Sequence, residues 1–211
     1  PNKPNTTYPI NRILNHHIKN TSTSTSKRKS MNNKNYFHTI NERIENLLID
    51  YLSKHNKVLP IFFNVRYPQH YPYPQKKDIS SLFDKVNTYY FRLGYDPYYF
   101  WKREQNISEH HHYHCLLFLN GNKIQRIMPV FKTVERFWAS TLGIETALGL
   151  VHYCLKDWKG DLTGNGTMLR RDDPELPYKL DRFRMAASYL AKTATSGFVN
   201  DGYRNFGCSR I

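Results

Sequence analysis

A chain of 211 residues can bury the core of one domain, and no stretch of it is apolar enough to span a membrane. Its net charge of +14 and its 15% of aromatic residues favour single-stranded nucleic acid as partner, because cations neutralise phosphates and rings stack on unpaired bases. The alternative is a basic protein whose charge serves only to keep it soluble. The three cysteines form no Cys-x-x-Cys pair, which argues against a zinc ribbon or disulfide framework and favours reduced thiols in the cytoplasm.

The chain divides by composition into residues 1–36, a predicted flexible basic arm, and residues 37–211, a predicted folded domain. Residues 1–41 contain seven Lys or Arg and no Asp or Glu. Such a segment buries too little apolar surface to order itself. The arm is either a nonspecific DNA contact or a plain disordered leader.

Hydrophobic spacing in the domain predicts an alternation of helices and strands. In chain order, the predicted elements are helix 39–55, strand 58–67, helix 78–93, strand 98–105, a strand from the histidine run through 115–119, helix 128–142 and strand 149–155. From the first strand onward this order predicts an α+β fold, a ferredoxin-like (RRM-like) antiparallel sheet with helices on one face. The other face is expected to be open for substrate.

The last third of the chain is less regular. A short strand is predicted within 167–170 and a helix over 178–193. On this helix Tyr189 and Lys192 are three residues apart, so they project from one face.

The histidine run leads directly into a buried strand. The strand period of two places His112 and His114 on one face and turns Tyr113 to the other. Glu104, on the preceding strand, is placed to supply a third ligand and leave positions open for substrate, as in a catalytic metal site. Two alternatives are a His110-x-His112 pair and a histidine-rich loop that binds no metal.

Tyr189 is a candidate nucleophile. Its phenol is weak at neutral pH, with an ordinary pKa of about 10. A nearby ammonium such as that of Lys192 favours the phenolate. A metal that polarises a phosphate reduces how strong the nucleophile must be. The alternative is an amphipathic tyrosine that only packs on the core.

Four motifs in order resemble the HUH endonuclease superfamily of single-tyrosine type, and most closely its inovirus-type replication proteins and the YagK/YfjJ C-terminal domain. The resemblance covers roughly residues 37–211. The motifs are WKRE at 101–104, HYHCLLFLNG at 112–121, YLAK at 189–192 and YRNFGCSR at 203–210.

The resemblance implies an HUH endonuclease fold whose C-terminal helix carries the nucleophile. It implies that Tyr189 attacks single-stranded DNA at an origin or hairpin, forms a 5′-phosphotyrosine link and releases a 3′-hydroxyl that primes rolling-circle replication of a filamentous phage or related element. Glu104, His112 and His114 would hold Mn²⁺ or Mg²⁺, and Lys192 would assist. A host helicase, in the bacterial cytoplasm, would unwind the duplex. Relaxases and transposases share this chemistry.

The sequence also contains two candidate phosphate-binding arginines, and two other functions are alternatives. Arg204 and Arg210 are candidates for binding backbone phosphates. The first rival is a noncatalytic binder with an RRM-like sheet, which needs exposed aromatic residues on two central strands. This function would not explain the candidate metal ligands or the Tyr189 and Lys192 pair. A zinc hydrolase is the second rival function. The sequence contains no His-Glu-x-x-His motif, and this function would give Tyr189 no role.

Overall fold

A computed structural model describes residues 33–104, 110–157, 159–192, 202 and 204–211, without the side chains of residues 33–36 and 192. Apart from 33–36, the predicted basic arm therefore lies outside the described residues. No helix in the described part is both long and apolar enough to cross a membrane.

Within these residues the chain forms four helices and six strands. The helices are α1 (Asn33–Lys54), α2 (Asp78–Arg92), α3 (Met128–Leu142) and α4 (Leu176–Lys192). The strands are β1 (Lys57–Arg66), β2 (Tyr98–Glu104), β3 (His112–Asn120), β4 (Val151–His152), β5 (Leu169–Arg170) and β6 (Phe206–Cys208). The α1 helix begins six residues before the predicted start at residue 39.

The strands form one antiparallel sheet in the order β4-β1-β3-β2-β6, with β5 paired to the free edge of β1. Strands β1 and β3 pair along their whole lengths, from Val58 opposite Asn120 to Arg66 opposite His112. The βαββαβ order from β1 to β4, with β1 and β3 central, is the ferredoxin-like arrangement. The predicted α+β fold is therefore confirmed.

One face of the sheet packs against α2 and α3. Alternate residues of β1 and β3 point to this face, and helix-spaced apolar residues of α2 and α3 meet them. The α3 helix ends at Gly143, whose φ of 68° is the left-handed conformation that glycine adopts without strain. The core on this face includes Phe63, Phe83, Tyr113 and Trp138.

The opposite face was predicted to be open, and over half of its length this prediction is wrong. Phe100, Leu116 and Phe118 pack there beneath α1 and α4. An ion pair joins the two helices, with Arg184 Nη2 2.7 Å from Glu45 Oε1. Exposing three large apolar side chains on a sheet face would forfeit several kcal/mol of burial, on the order of 2 kcal/mol each. The helices therefore cover this half.

The predicted strand 149–155 is reduced to β4, Val151–His152. Gly149 and Cys154 have φ of 76° and 49°, and these left-handed residues interrupt an extended backbone on both sides of β4. The Asn165 side chain takes over the vacant edge of β1. It accepts a hydrogen bond from Phe62 N at 2.8 Å and donates one to Phe62 O at 2.6 Å.

Strand β6 was not predicted. Its three residues pair with β2, and Gly207 lies opposite Trp101. A Cβ at residue 207 would come within 2.7 Å of the Trp101 ring, so only glycine allows this ring to pack against β6. A strand of this length has too short a pattern for sequence-based prediction.

Candidate metal centre

The candidate metal centre consists of Glu104, His112 and His114. Strand β2 pairs with β3 so that Glu104 lies directly opposite His112. His114 follows two residues later and therefore shares the same face. The antiparallel pairing thus brings the three predicted ligands together.

The ligand atoms converge on Glu104. Its Oε2 lies 3.2 Å from His112 Nε2 and 2.5 Å from His114 Nε2. One ligand atom from each residue lies within 4.8 Å of the other two. Two imidazole nitrogens and one carboxylate oxygen at these separations suit a divalent ion with open coordination positions. The three residues could therefore hold a divalent metal ion.

Asn64 of β1 orients His114, and the sequence analysis missed this residue. His114 Nδ1 lies 2.8 Å from Asn64 Oδ1, the arrangement of an imidazole N–H donating to an amide oxygen. A hydrogen bond of this kind fixes the ring and points Nε2 toward the metal position. Asn64 lies directly opposite His114 in the β1–β3 pairing, so only the strand register identifies it.

Burial and hydrogen bonding set the charges of the centre. Burial alone raises the pKa of the Glu104 carboxyl, but hydrogen bonds from His112 and His114 outweigh it and hold the pKa well below its usual range. Burial lowers the pKa of His114, with partial compensation from Glu104. Metal binding requires an ionised carboxylate and unprotonated Nε2 atoms, so an ion would replace the hydrogen bonds that His112 and His114 donate to Glu104.

Lys102 lies on the same face, opposite His114, and is 2% exposed. Its Nζ has no hydrogen-bond partner among the described residues. Burial lowers the pKa of Lys102 to about 8, with a smaller opposing effect of Glu104. A buried ammonium is therefore placed beside the metal centre. Lys102 is part of the WKRE motif, but the sequence alone did not indicate a functional role for it.

The other histidines of the run turn away from the centre. His111 Nε2 lies 2.7 Å from Tyr113 Oη, and its ring packs edge-on against Tyr67. The His110 ring also contacts Tyr67. Within the described residues, the group that could hold a metal contains His112 and His114 rather than the alternative His110-x-His112 pair.

The α4 helix runs along the sheet face that carries the metal centre. It begins just after β5, whose Leu169 pairs with Val58 at the far end of β1. Further along, the Phe183 ring lies 5.7 Å from that of Phe62, two residues before Asn64. Tyr189 follows six residues later, about 9 Å along the helix axis. It is 66% exposed and lies toward the C-terminal end of α4, beyond the contact between Phe183 and Phe62.

The positions of the remaining predicted site residues follow from the elements that carry them. Lys192 is the last residue of α4, and its side chain lies outside the described part. Arg204 and Arg210 are exposed and flank β6 on its two sides. Because Phe206 pairs with Lys102, Arg204 lies at the end of β6 nearer the metal centre, and Arg210 lies at the opposite end.

A groove of about 1180 Å³ opens beside His112, between β1 and the segment around β4. Its lining is rich in groups that carry or can acquire positive charge. These include Arg66, His70, His110, His112, His152 and Lys156.

A family model described as YagK/YfjJ C-terminal domain matches residues 16–209. The match begins within the predicted basic arm. No curated protein and no solved structure matches the chain. The chain therefore belongs to the YagK/YfjJ C-terminal domain family.

Proposed function

We propose that this protein is a metal-dependent, sequence-specific nickase and ligase of single-stranded DNA that acts through a 5′-phosphotyrosine intermediate on Tyr189. The observation that carries the proposal is that one sheet face holds both the Glu104, His112 and His114 cluster and the helix that presents Tyr189. A tyrosine that served only the core would be buried, whereas this side chain is 66% exposed.

In the proposed step, the phenol oxygen of Tyr189 bonds to phosphorus and the bond from phosphorus to the 3′-oxygen breaks. The phenol loses a proton and the departing 3′-oxygen gains one. A divalent Mn²⁺ or Mg²⁺ at the centre would stabilise the charge on the phosphate oxygens. Lys192, one turn after Tyr189, is proposed to favour the phenolate or help the departing oxygen. The step is reversible because the phosphotyrosine bond conserves the energy of the phosphodiester.

Charge supports DNA as the substrate. The chain has a net charge of +14, and the groove beside His112 is lined by Arg66 and Lys156. Cations around a cleft attract a polyanionic strand and release its counterions. Arg204 is proposed as a phosphate contact at the end of β6 near the centre, and Arg210 as a second contact further away.

Within this chemistry we propose that the protein initiates rolling-circle replication of a filamentous phage or a related mobile element, with a host helicase as partner. The four motifs favour this role. A relaxase or transposase would use the same residues and differ in the DNA that is recognised.

The noncatalytic alternative draws little support from the sheet. It requires exposed aromatic side chains on the two central strands. Phe63, Tyr113 and Phe118 of β1 and β3 are buried, and Phe62 is half-buried against Phe183. These rings are engaged in packing.

The test is to incubate the protein with a pool of single-stranded oligonucleotides that contains the origin of its own element, in the presence of Mn²⁺. Denaturing gels and intact-mass analysis then detect covalent adducts. Tyr189→Phe removes the nucleophilic oxygen, and Tyr73→Phe, which alters an exposed tyrosine outside α4, is the control.

We expect an adduct with the wild type and Tyr73→Phe, none with Tyr189→Phe and none in EDTA. Retained DNA binding by Tyr189→Phe would separate loss of chemistry from loss of affinity. An adduct that persists in Tyr189→Phe would overturn the assignment of the nucleophile. Binding without any adduct would instead favour the noncatalytic module.

A further inference from the structure

Four residues form a continuous exposed line along α4, called here the α4 stripe. They are Tyr178, Arg182, Met185 and Tyr189, at positions i, i+4, i+7 and i+11. At 100° per residue these positions fall within an arc of about 60° on one side of the helix. Tyr178, Met185 and Tyr189 are 62%, 74% and 66% exposed.

The packing of α4 does not require these large side chains. The helix is fixed by a separate face that includes Leu180, Phe183, Ala187 and Leu190, all buried against the sheet and α1. Solvent-facing helix positions are ordinarily occupied by charged or small polar residues. An exposed line of two tyrosines, a methionine and an arginine indicates a surface that binds something.

The arginine of the α4 stripe is held along the helix. Arg182 Nη1 donates to Tyr178 Oη at 3.4 Å, and Nη2 donates to Thr163 O at 3.3 Å. The guanidinium is therefore held between the Tyr178 hydroxyl and the Thr163 carbonyl. Leu162, which precedes Thr163 in the chain, is also exposed, at 75%.

We propose that the α4 stripe binds unpaired bases of the DNA strand that enters the active site. The proposal rests on the proposed function, and it adds a surface that selects single-stranded over double-stranded DNA. Tyrosine rings and guanidinium planes stack on any base, because every base has a π face. Tyr189 lies at one end of the stripe, so the bases bound are those next to the scissile phosphate.

The dimensions of the stripe fit a short run of bases. From Tyr178 to Tyr189 the helix rises about 16 Å. At about 3.4 Å for each stacked base, this length accommodates four to five nucleotides. Paired bases cannot lie on such a surface, because their π faces are covered within the duplex.

Charge favours a nucleic acid over a second copy of the chain as occupant. Each copy carries a net charge of +14, so association of two copies is opposed by repulsion, whereas a DNA strand is attracted. Aromatic residues with an interspersed arginine are also the combination found on surfaces that bind single strands.

The experiment measures affinity without metal, so that no cleavage occurs. A fluorescein-labelled oligothymidine of about 12 nucleotides is titrated and followed by fluorescence anisotropy, and a duplex of equal length serves for comparison. The variants are Tyr178→Ala and Met185→Ser. The matched control is Tyr73→Ala, which removes a tyrosine that is 70% exposed but lies outside α4. Thermal unfolding checks that each variant is folded.

We expect Tyr178→Ala to weaken single-strand binding roughly 5- to 150-fold. Met185→Ser should weaken it less, and Tyr73→Ala should leave it unchanged. Affinity for the duplex should change little, because the loss concerns bases and not phosphates. Oligonucleotides carrying 5-iodouracil should also crosslink to Tyr178 or Met185 on irradiation, as mapped by mass spectrometry.

Three outcomes would overturn the inference. Equal single-strand affinities of the wild type, Tyr178→Ala and Met185→Ser would remove the stripe as a binding surface, while the Tyr189 adduct could still form. An equal loss for single strand and duplex would show that the contact is not with bases. Failure of the wild type to bind any single strand would reject the proposed function as well.

Discussion

The two halves of one sheet face have opposite chemistry, although the same strands build both. At one half, Phe100, Leu116 and Phe118 pack beneath α1 and α4. At the other half, the same face of β2 and β3 carries the metal centre and Lys102. The apolar half follows the ordinary rule for burial, whereas the polar half concentrates ionisable groups at a cost in desolvation.

This difference separates stability from chemistry. Burial of the side chains in the apolar half stabilises the folded state. The polar half instead buries ionisable groups that a metal or a substrate would bind. Changes in the apolar half should therefore lower the free energy of unfolding, whereas changes in the polar half should weaken metal binding or, at Lys102, remove a cost of burial. Four predictions test this division.

The largest effect is expected from Phe118→Ala in the apolar half. Phe118 is fully buried, and its ring lies 5.9 Å from those of Tyr51 and Phe183. Creating this cavity should lower the free energy of unfolding by about 3 to 5 kcal/mol in urea denaturation. Phe91→Ala, at a position that is 70% exposed, should change it by less than about 0.5 kcal/mol. Loss of Mn²⁺ affinity in a folded Phe118→Ala protein would contradict the division.

Lys102→Met should stabilise the protein in EDTA at neutral pH. The pKa of Lys102 is about 8 in the folded protein, below its ordinary value. The unfolded chain therefore binds more protons between about pH 8 and 10, and wild-type stability rises with pH across that window. The variant should lack this rise and exceed the wild type by up to roughly 3 kcal/mol at pH 7.

Urea denaturation at several pH values measures both properties of Lys102→Met. Lys123→Met, which replaces an exposed lysine, is the control and should follow the wild-type pH dependence. A variant that is no more stable than the wild type at pH 7 would mean that the Lys102 ammonium is compensated in the folded protein.

His114→Ala should abolish most metal binding while leaving the fold intact. It removes one of three ligands and the imidazole that faces Glu104 Oε2 at 2.5 Å. Isothermal titration calorimetry with Mn²⁺ should show a loss of at least about 100-fold in affinity. His38→Ala, at an exposed position on α1, should bind Mn²⁺ as the wild type does. Equal affinities of the wild type and His114→Ala would remove this residue from the centre.

Asn64→Ala should have the smallest effect of the four, because Asn64 orients a ligand without being one. Loss of its 2.8 Å contact with His114 Nδ1 should weaken Mn²⁺ binding about 10- to 100-fold by calorimetry. Asn64→Asp, which restores an oxygen acceptor, should recover affinity. If Asn64→Ala binds Mn²⁺ as tightly as the wild type, the orientation of His114 comes from the packing of β3 alone.

The sequence by itself determined the βαββαβ order and the three candidate ligands. The strand period of two decides which residues share a face, so His112 and His114 could be paired from spacing alone. Glu104 followed from the hairpin of two successive strands, because neighbouring strands in the chain usually pair. These are local relations, and β2 and β3 retain them in the fold.

Only the tertiary structure decided which distant elements meet that face. Spacing shows that α1 and α4 have apolar sides, but it does not show which side of the sheet they cover. The same limit applies to Asn64, Lys102 and the α4 stripe. Their surroundings depend on strand register and helix packing between residues far apart in the chain, and no local pattern encodes those contacts.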